Sequence, residues 1–325
     1  MAIEVRKPGL ATTVQDLGRP GHYDVGIPLS GAMDRFALRC ANMLVGNDES
    51  AAVLECVFMG PELLFITDTL VAVTGAELPP KVDGVAQPTW TSFTVKSGQV
   101  LSFDYLRRGA RAYVAVAGGI DVPLVLGSRS TYALGALGGY EGRPLKAGDT
   151  LAVGASHATA ATVRTIPSEL RRGATPTATL RVLPGLYHHR ITQDAADNFF
   201  RDSWKVAPEA DRIGYRFRGG RPLSFVDRVQ PFGAGSDPSN IVDSCYPYGS
   251  IQVPGGTEPI VLHRDAVSGG GYFMLGTVIS ADMDYIGQLQ PHAAIQFVPV
   301  TMNEALDARR ARQAMLQEAR ESLVA

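Results

Sequence analysis

The sequence predicts a mainly β protein in two similar halves, each a set of short antiparallel strands closing into a barrel or sandwich, with few helices. Three observations carry this. Runs such as "AVLECVF", "ELLFIT", "LVAVTG", "FTVKSGQVLSFDYL" and "RAYVAVAGG" follow closely on one another, each closed by Gly, Pro or Asp, with little helical pattern between them. The 35 Gly and 21 Pro supply the tight turns that such an arrangement needs. A strand, a Pro-Gly, a polar loop, a helix and further strands also occur in that order twice, opened by "IEVRKPGLAT" and later by "LRVLPGLYHH". A length of 325 residues, 45% of them hydrophobic, allows two domains with a core each.

Residues 3–6 alternate as a strand, and the polar loop "TTVQDLGRPG" follows. "SGAMDRFALRCANMLVGN" reads as one helix, with Ser30 as its N-cap, Asp34 in its first turn and Gly46-Asn47 as its stop. The β-rich runs begin at Ala51, and "RPLKAGDTLAVG" ends the first half as a turn and a strand. The Ala-, Thr- and Arg-rich stretch 155–179 reads as a connection between domains. "ITQDAADNFFRDSW" is a second helix, followed by more short strands. "MNEALDARRARQAMLQEARESL" closes the chain as an amphipathic helix with Leu306, Met315, Leu316, Ala319 and Leu323 on its apolar side; its charges read most simply as a solvated face.

Lys and Arg total 30 against 32 Asp and Glu, with no basic stripe, so neither nucleic acid nor an anionic membrane is expected as a partner. Apolar runs such as "LLFITDTLVAVTGA" are interrupted by polar residues and too short to span a bilayer. The N-terminus lacks the pattern of a secretory signal. Cys40, Cys56 and Cys245 lie far apart, as buried reduced thiols of a cytoplasmic protein would. His188 and His189 are adjacent and would point to different sides, so no metal site is expected.

The polar loop poses the first functional question, because a turn needs Gly, Pro or Asp but not Gln15, Asp16 and Arg19 together. Asp16 and Arg19 could order the loop as an ion pair or face a ligand. Asp34, with Arg35, Arg39 and Asn42, has an ordinary explanation in the helix dipole and a solvated face. The Gly-studded loop Gly127–Asp149 carries Arg129, Ser130, Thr131 and Arg143, and an Arg among hydroxyls suits a carboxylate or carbonyl group. "SGGGY", Ser268–Tyr272, lies between two strand-like runs; it is either a hairpin needing positive φ or a nest of backbone N–H groups, and it lacks the helix that follows a dinucleotide-binding loop.

Taken together, "TTVQDLGRPG…GIPLSGAMDRFALRCANMLVGN", "LECVFMGPEL", "GSRSTYALGALGGYEGRPLKAGD", "DRIGYRF", "GSIQVPGGTEPIVL" and "GGGY…VISADMDYIGQLQP" resemble the biotin-dependent carboxyltransferase family. That family includes the carboxyltransferase part of urea carboxylase, the allophanate hydrolase subunit 2 proteins and the C-type (KipA-like) subunit of 5-oxoprolinase. The resemblance implies two cyclophilin-like β-barrel subdomains, over 1–160 and 175–300, with a ligand cleft between them and the C-terminal helix at 301–325. It implies catalytic roles for Asp16, Arg129 and Asp282. It implies substrate-binding roles for Gln15, Arg19, Ser30, Asp34, Asn42, Gly75, Ser130, Thr131, Tyr215, Gln252, Asp265, Gly270, Gly271 and Tyr272.

Two chemistries are implied. In the favoured one, a chain like the C-type subunit of 5-oxoprolinase works with a B-type (allophanate hydrolase subunit 1) protein and a LamB/YcsF-like A-type protein. Together they open a lactam, with ATP used by the complex. In the other, CO2 passes from carboxybiotin on a separate carrier protein to a urea- or amide-type nitrogen. A non-catalytic regulatory subunit is a third reading. The second half departs from the family: "DAVSGGGY" places Val267 and Ser268 where relatives commonly have Gln and Thr, and Ala210 stands where Ser is common. Losing the Gln removes a donor and an acceptor suited to an amide, which points to a changed substrate.

Overall fold

The computed structural model describes residues 2–156, 163–171 and 177–323. The chain divides into two compact units, one formed by Met1–Arg19, Ser30–Ala174 and Gln313–Ala325 and the other by Pro20–Leu29 and Thr175–Arg312.

The first unit holds two antiparallel sheets. One has six strands in the order Thr150–Ala152, Ala2–Lys7, Glu62–Phe65, Val100–Phe103, Pro80–Val82 and Val85–Ala86. The other has five, in the order Thr13–Gln15, Val53–Val57, Arg108–Val116, Thr69–Glu77 and Ser92–Val95. Alternation of side chains sorts the five-stranded sheet into two apolar faces. Leu54, Cys56, Val71, Val73, Ala112 and Val114 share a core with Ile3, Val5, Leu63 and Phe65 of the six-stranded sheet. Val53, Leu70, Ala72, Tyr113 and Ala115 face the opposite way, onto helix α1, Arg35–Leu44. Burial on both faces explains why these strands read as unbroken apolar runs.

Helix α1 starts later than its sequence suggests. Asp34 is the N-cap, its carboxylate accepting the Ala37 N–H at 3.0 Å, and Ser30 lies outside the helix at φ +51°. The cause is tertiary. The N–H groups of Gly31, Ala32, Met33 and Asp34 donate in turn to Gln15 Oε1, the Asp16 carbonyl, Glu55 Oε2 and the Tyr113 hydroxyl. With four successive donors held by other segments, residues 31–34 stay out of the helix.

The second unit is built on a closed seven-stranded barrel: Thr177–Pro184, Met274–Val278, Ser250–Gln252, Ile260–Leu262, Gly214–Arg218, Trp204–Val206 and Ala294–Pro299. Its strand pairs are antiparallel except that between Thr177–Pro184 and Ala294–Pro299. Helix α2, Gln193–Arg201, is capped by Thr192, which accepts the Ala195 N–H. It sends Phe199 against Phe297, with ring centroids 4.9 Å apart, and against Trp204 at 5.3 Å. Asn240–Cys245 and Gly269–Tyr272 form a separate two-stranded sheet. A short helix α3, Met283–Ile286, precedes the last barrel strand.

The final helix α4, Met302–Glu321, packs Met315, Leu316 and Ala319, with Leu323 in the turn just after it, into the apolar layer that contains α1. Leu306, placed on the same apolar side by its spacing, is instead 38% exposed. The side chains of Arg320 and Arg312 pair with Glu49 and Asp284. Cys40 and Cys56 are buried as expected, whereas Cys245 is exposed on its two-stranded sheet. Burial pushes the Cys56 thiol up to about 12. The stretch 155–179 falls partly outside the described residues; within it, Ile166 is fully buried and Thr165 bridges Thr91. No helix among the described residues is long and apolar enough to cross a membrane.

Candidate functional site

Two constellations of polar side chains stand out, one in each unit. In the first unit, the loop after strand Thr13–Gln15 is clasped by the loop at Ser128–Thr131. Asp16, 8% exposed, takes four donors. Its Oδ1 accepts from Gly18 N at 2.7 Å, Ser128 Oγ at 2.6 Å and Ser130 Oγ at 2.5 Å, and its Oδ2 accepts from Arg129 N at 2.6 Å. Gln15 donates to Thr13 Oγ1 and to the Thr131 carbonyl and accepts from Gly31. Arg19 donates to the carbonyls of Ser130 and Val125. Thr131 donates twice, through N and Oγ1, to the Val14 carbonyl. Gly139, at φ +56°, lies so close that a Cβ there would land on Thr131 Oγ1. Gln15, Asp16, Arg19, Ser130 and Thr131 thus come together as one buried clasp, which answers why that loop carries so many polar groups.

Arg129 enters this clasp through its backbone N–H alone. Its guanidinium turns aside, donating to the Val122 carbonyl at 2.8 Å and to Asp121 at 3.2 Å in a half-exposed position. Next to the clasp, buried Glu55 accepts from Tyr113 and Met33, both at 2.8 Å, with Arg111 Nε 3.7 Å away. Burial, with the charges of Glu55 and Asp34 beside it, holds the Tyr113 phenol well above its ordinary range, so it donates as a neutral hydroxyl. Ser30 sits at the end of the pinned segment. Its hydroxyl is enclosed with no hydrogen-bond partner, and its φ of +51° is unusual for a residue other than glycine. Strain and an unsatisfied group thus coincide at one residue.

Asn42 and Gly75 lie apart from the clasp. Asn42 braces the turn after α1, bonding the carbonyls of Glu49 and Ala51 and the side chain of Asn47. Gly75, at φ +85°, sits where the register of its strand against Arg108–Val116 shifts.

In the second unit, Tyr215, His263, Tyr248 and Arg264 adjoin one another in that order, His263 meeting Tyr248 edge to face. The ring centroids of Tyr215 and His263 are 6.1 Å apart and those of His263 and Tyr248 5.2 Å apart, and the Arg264 guanidinium lies 4.3 Å over the Tyr248 ring. His263 Nε2 lies 3.0 Å from the Met283 carbonyl, so that nitrogen carries the proton. Asp265 is committed elsewhere, receiving Arg212 Nε at 2.7 Å and Nη2 at 3.1 Å. Arg264 is 4% exposed, its Nε is enclosed without a partner, and no carboxylate among the described residues pairs with it. Stacking on an aromatic ring supplies about 2 kcal/mol when desolvated, less than the several kcal/mol that burying an ion costs. Tyr23 reaches the same place: burial raises its phenol above the ordinary range, Arg264's charge pulls it back, and its carbonyl accepts from Ser268 Oγ at 3.0 Å. Sequence reasoning misses Arg264, Tyr248, His263 and Tyr23, which no motif singles out.

Gln252 hydrogen-bonds Tyr246, whose hydroxyl accepts from Tyr272 N and donates to the Tyr272 carbonyl, both at 2.8 Å. "SGGGY" is neither of the shapes anticipated for it. Gly269–Tyr272 is a strand without positive φ, and its glycines are there for close approach: a Cβ on Gly270 would meet the Tyr246 ring at 3.1 Å, and one on Gly271 the Ile241 carbonyl at 3.0 Å. Val267 beside it is 58% exposed. Asp282 is held by Arg181 through Nε at 3.0 Å, Nη2 at 2.6 Å and the backbone N–H at 2.9 Å.

A sequence model of the carboxyltransferase domain, subdomains A and B, matches residues 25–299. The chain is 37% identical to the Escherichia coli protein named as the C-type subunit of 5-oxoprolinase, over 97% of both chains. It is 36% identical to the urea amidolyase of Saccharomyces cerevisiae over 92% of its own length, but spans 17% of that protein. The crystal structure of Kluyveromyces lactis urea carboxylase superposes with a TM-score of 0.91 at 35% identity, covering 99% of this chain and 29% of the other. The chain therefore belongs to the carboxyltransferase domain A/B family. Its relatives are components of enzyme assemblies, either free-standing or as one domain of a much longer polypeptide.

Proposed function

We propose that this chain is the C-type subunit of a 5-oxoprolinase. It works with a B-type and a LamB/YcsF-like A-type partner to open the lactam of 5-oxoproline to glutamate. The observation that carries this is the 97% correspondence, on both sides, with a free-standing protein of that name. Opening the ring breaks the amide C–N bond: water's oxygen goes to the carbonyl carbon and a proton goes to the departing nitrogen. The amide must be held, its carbonyl polarised and that proton delivered. In the second unit, the positively charged Arg264 suits an anionic group of the substrate and so holds it in place, and the raised Tyr23 phenol keeps its proton near neutral pH. In the first unit, Ser30 presents an uncommitted hydroxyl on a rigid frame.

The urea carboxylase structure favours a second reading, in which the chain carboxylates a urea- or amide-type nitrogen from carboxybiotin on a separate carrier. Gentle co-purification from native cells, streptavidin blotting and reconstitution separate the two. The proposal expects biotin-free partners and 5-oxoproline-dependent ATP hydrolysis that stops when this chain is left out. A biotinylated partner with no response to 5-oxoproline would replace it with carboxyl transfer.

A further inference from the structure

We infer that Arg264, braced on the ring of Tyr248, is the binding residue for a small monocarboxylate. The existence of this subsite stands on geometry alone; naming the ligand as 5-oxoproline rests on the lactam-opening reading.

Other buried arginines of this chain have partners for their donors, Arg212 with Asp265, Arg111 with Glu55 and Arg19 with the carbonyls of Ser130 and Val125. Arg264 has the burial without an anion among the described residues, and Asp265, its neighbour in sequence, is already taken by Arg212. Its plane is fixed from one side by Tyr248, itself held edge-on by His263. A guanidinium so oriented offers a rigid fork of donors, and a carboxylate matches that fork with two parallel bonds.

The charge argues for a carboxylate over a phosphate. One guanidinium balances a single negative charge, whereas a phosphate dianion calls for further cations or a cradle of N–H groups. A neutral amide or urea would leave the buried charge uncompensated. A substrate with both a lactam and a carboxylate would use Arg264 for its anionic end.

The test is equilibrium binding to the full-length chain, alone and with its co-purified partners, for wild type, Arg264→Lys and Arg264→Met. The probes are 5-oxoproline, the uncharged lactam 2-pyrrolidinone, acetate and biotin. The expected result is 5-oxoproline binding weakened at least about tenfold in Arg264→Met, as loss of a charge-assisted pair implies. Arg264→Lys should fall between, and 2-pyrrolidinone should bind all three alike. If acetate or biotin shows that dependence while 5-oxoproline does not bind, the carboxylate subsite stands and the lactam reading falls. If every probe binds the three proteins equally, or 2-pyrrolidinone loses as much as 5-oxoproline, the subsite is overturned. Should Arg264→Met fail to fold by circular dichroism, the comparison of wild type with Arg264→Lys decides by the same criteria.

Discussion

Asp16→Ala separates two meanings of the first-unit clasp. If Asp16 acts only on a substrate, its removal should abolish activity and leave the fold untouched. The geometry predicts otherwise. Truncation strips an acceptor from two backbone N–H groups, of Gly18 and Arg129, and from the hydroxyls of Ser128 and Ser130. The hydroxyls can rotate to other acceptors but the N–H groups cannot. At about 1.5–3 kcal/mol for each bond to a charged group, the two N–H groups alone account for about 3–6 kcal/mol. Relief of the buried carboxylate's own desolvation offsets part of that, leaving about 2–4 kcal/mol. For a unit of this size that is a fall in Tm of about 5–15 °C, measurable by scanning calorimetry. Arg129→Ala is the control, because its side chain makes only half-exposed contacts and should cost under about 1 kcal/mol. An Asp16→Ala protein melting within about 2 °C of wild type would refute the scaffold argument.

Other outcomes follow from single sites. Ser30→Ala should hold or raise Tm, since an enclosed hydroxyl without a partner destabilises the fold, while turnover by the reconstituted complex falls; a Tm drop above about 5 °C would reveal a structural partner. Gly139→Ala combines a positive φ with a collision on Thr131 Oγ1 and should cost about 3 kcal/mol by urea titration. At pH 8 the Cys56 thiol, pushed up to about 12, is ionised to roughly one part in ten thousand. A disulfide reagent should therefore give one fast equivalent, lost in Cys245→Ser, and any slow Cys56 reaction should quicken as pH rises towards 12.

What is legible in the sequence is mostly local. Strand runs bounded by Gly and Pro, and the apolar spacing of Met315, Leu316 and Ala319, come through because pattern and burial agree there. The start of α1 does not. Ser30 has the chemistry of an N-cap, but the four N–H donors of Gly31, Ala32, Met33 and Asp34 are claimed by Gln15, Asp16, Glu55 and Tyr113, and no local pattern encodes a long-range acceptor. "SGGGY" misleads for a related reason, since three glycines advertise positive φ while these serve close packing against Tyr246 and Ile241. The polar loop at Gln15–Arg19 is conspicuous, yet whether its groups bond one another or a ligand depends on where Ser128–Thr131 lands. Arg264 escapes notice because an Arg followed by an Asp suggests a neighbourly ion pair. Only the fold shows that Asp265 turns to Arg212.

The placement of Ala319 has a consequence for how the protein is made. It is fully buried in the apolar layer around α1, whose own residues end at Leu44. A ribosome adding 5–20 residues each second needs roughly 15–55 seconds to travel from Leu44 to Met315. Through that interval the nascent chain presents the surface that α4 will later cover, and the earliest unit to emerge is the last to be sealed. A chaperone holding the growing chain, or a stop codon placed a dozen residues early, would act on this surface first.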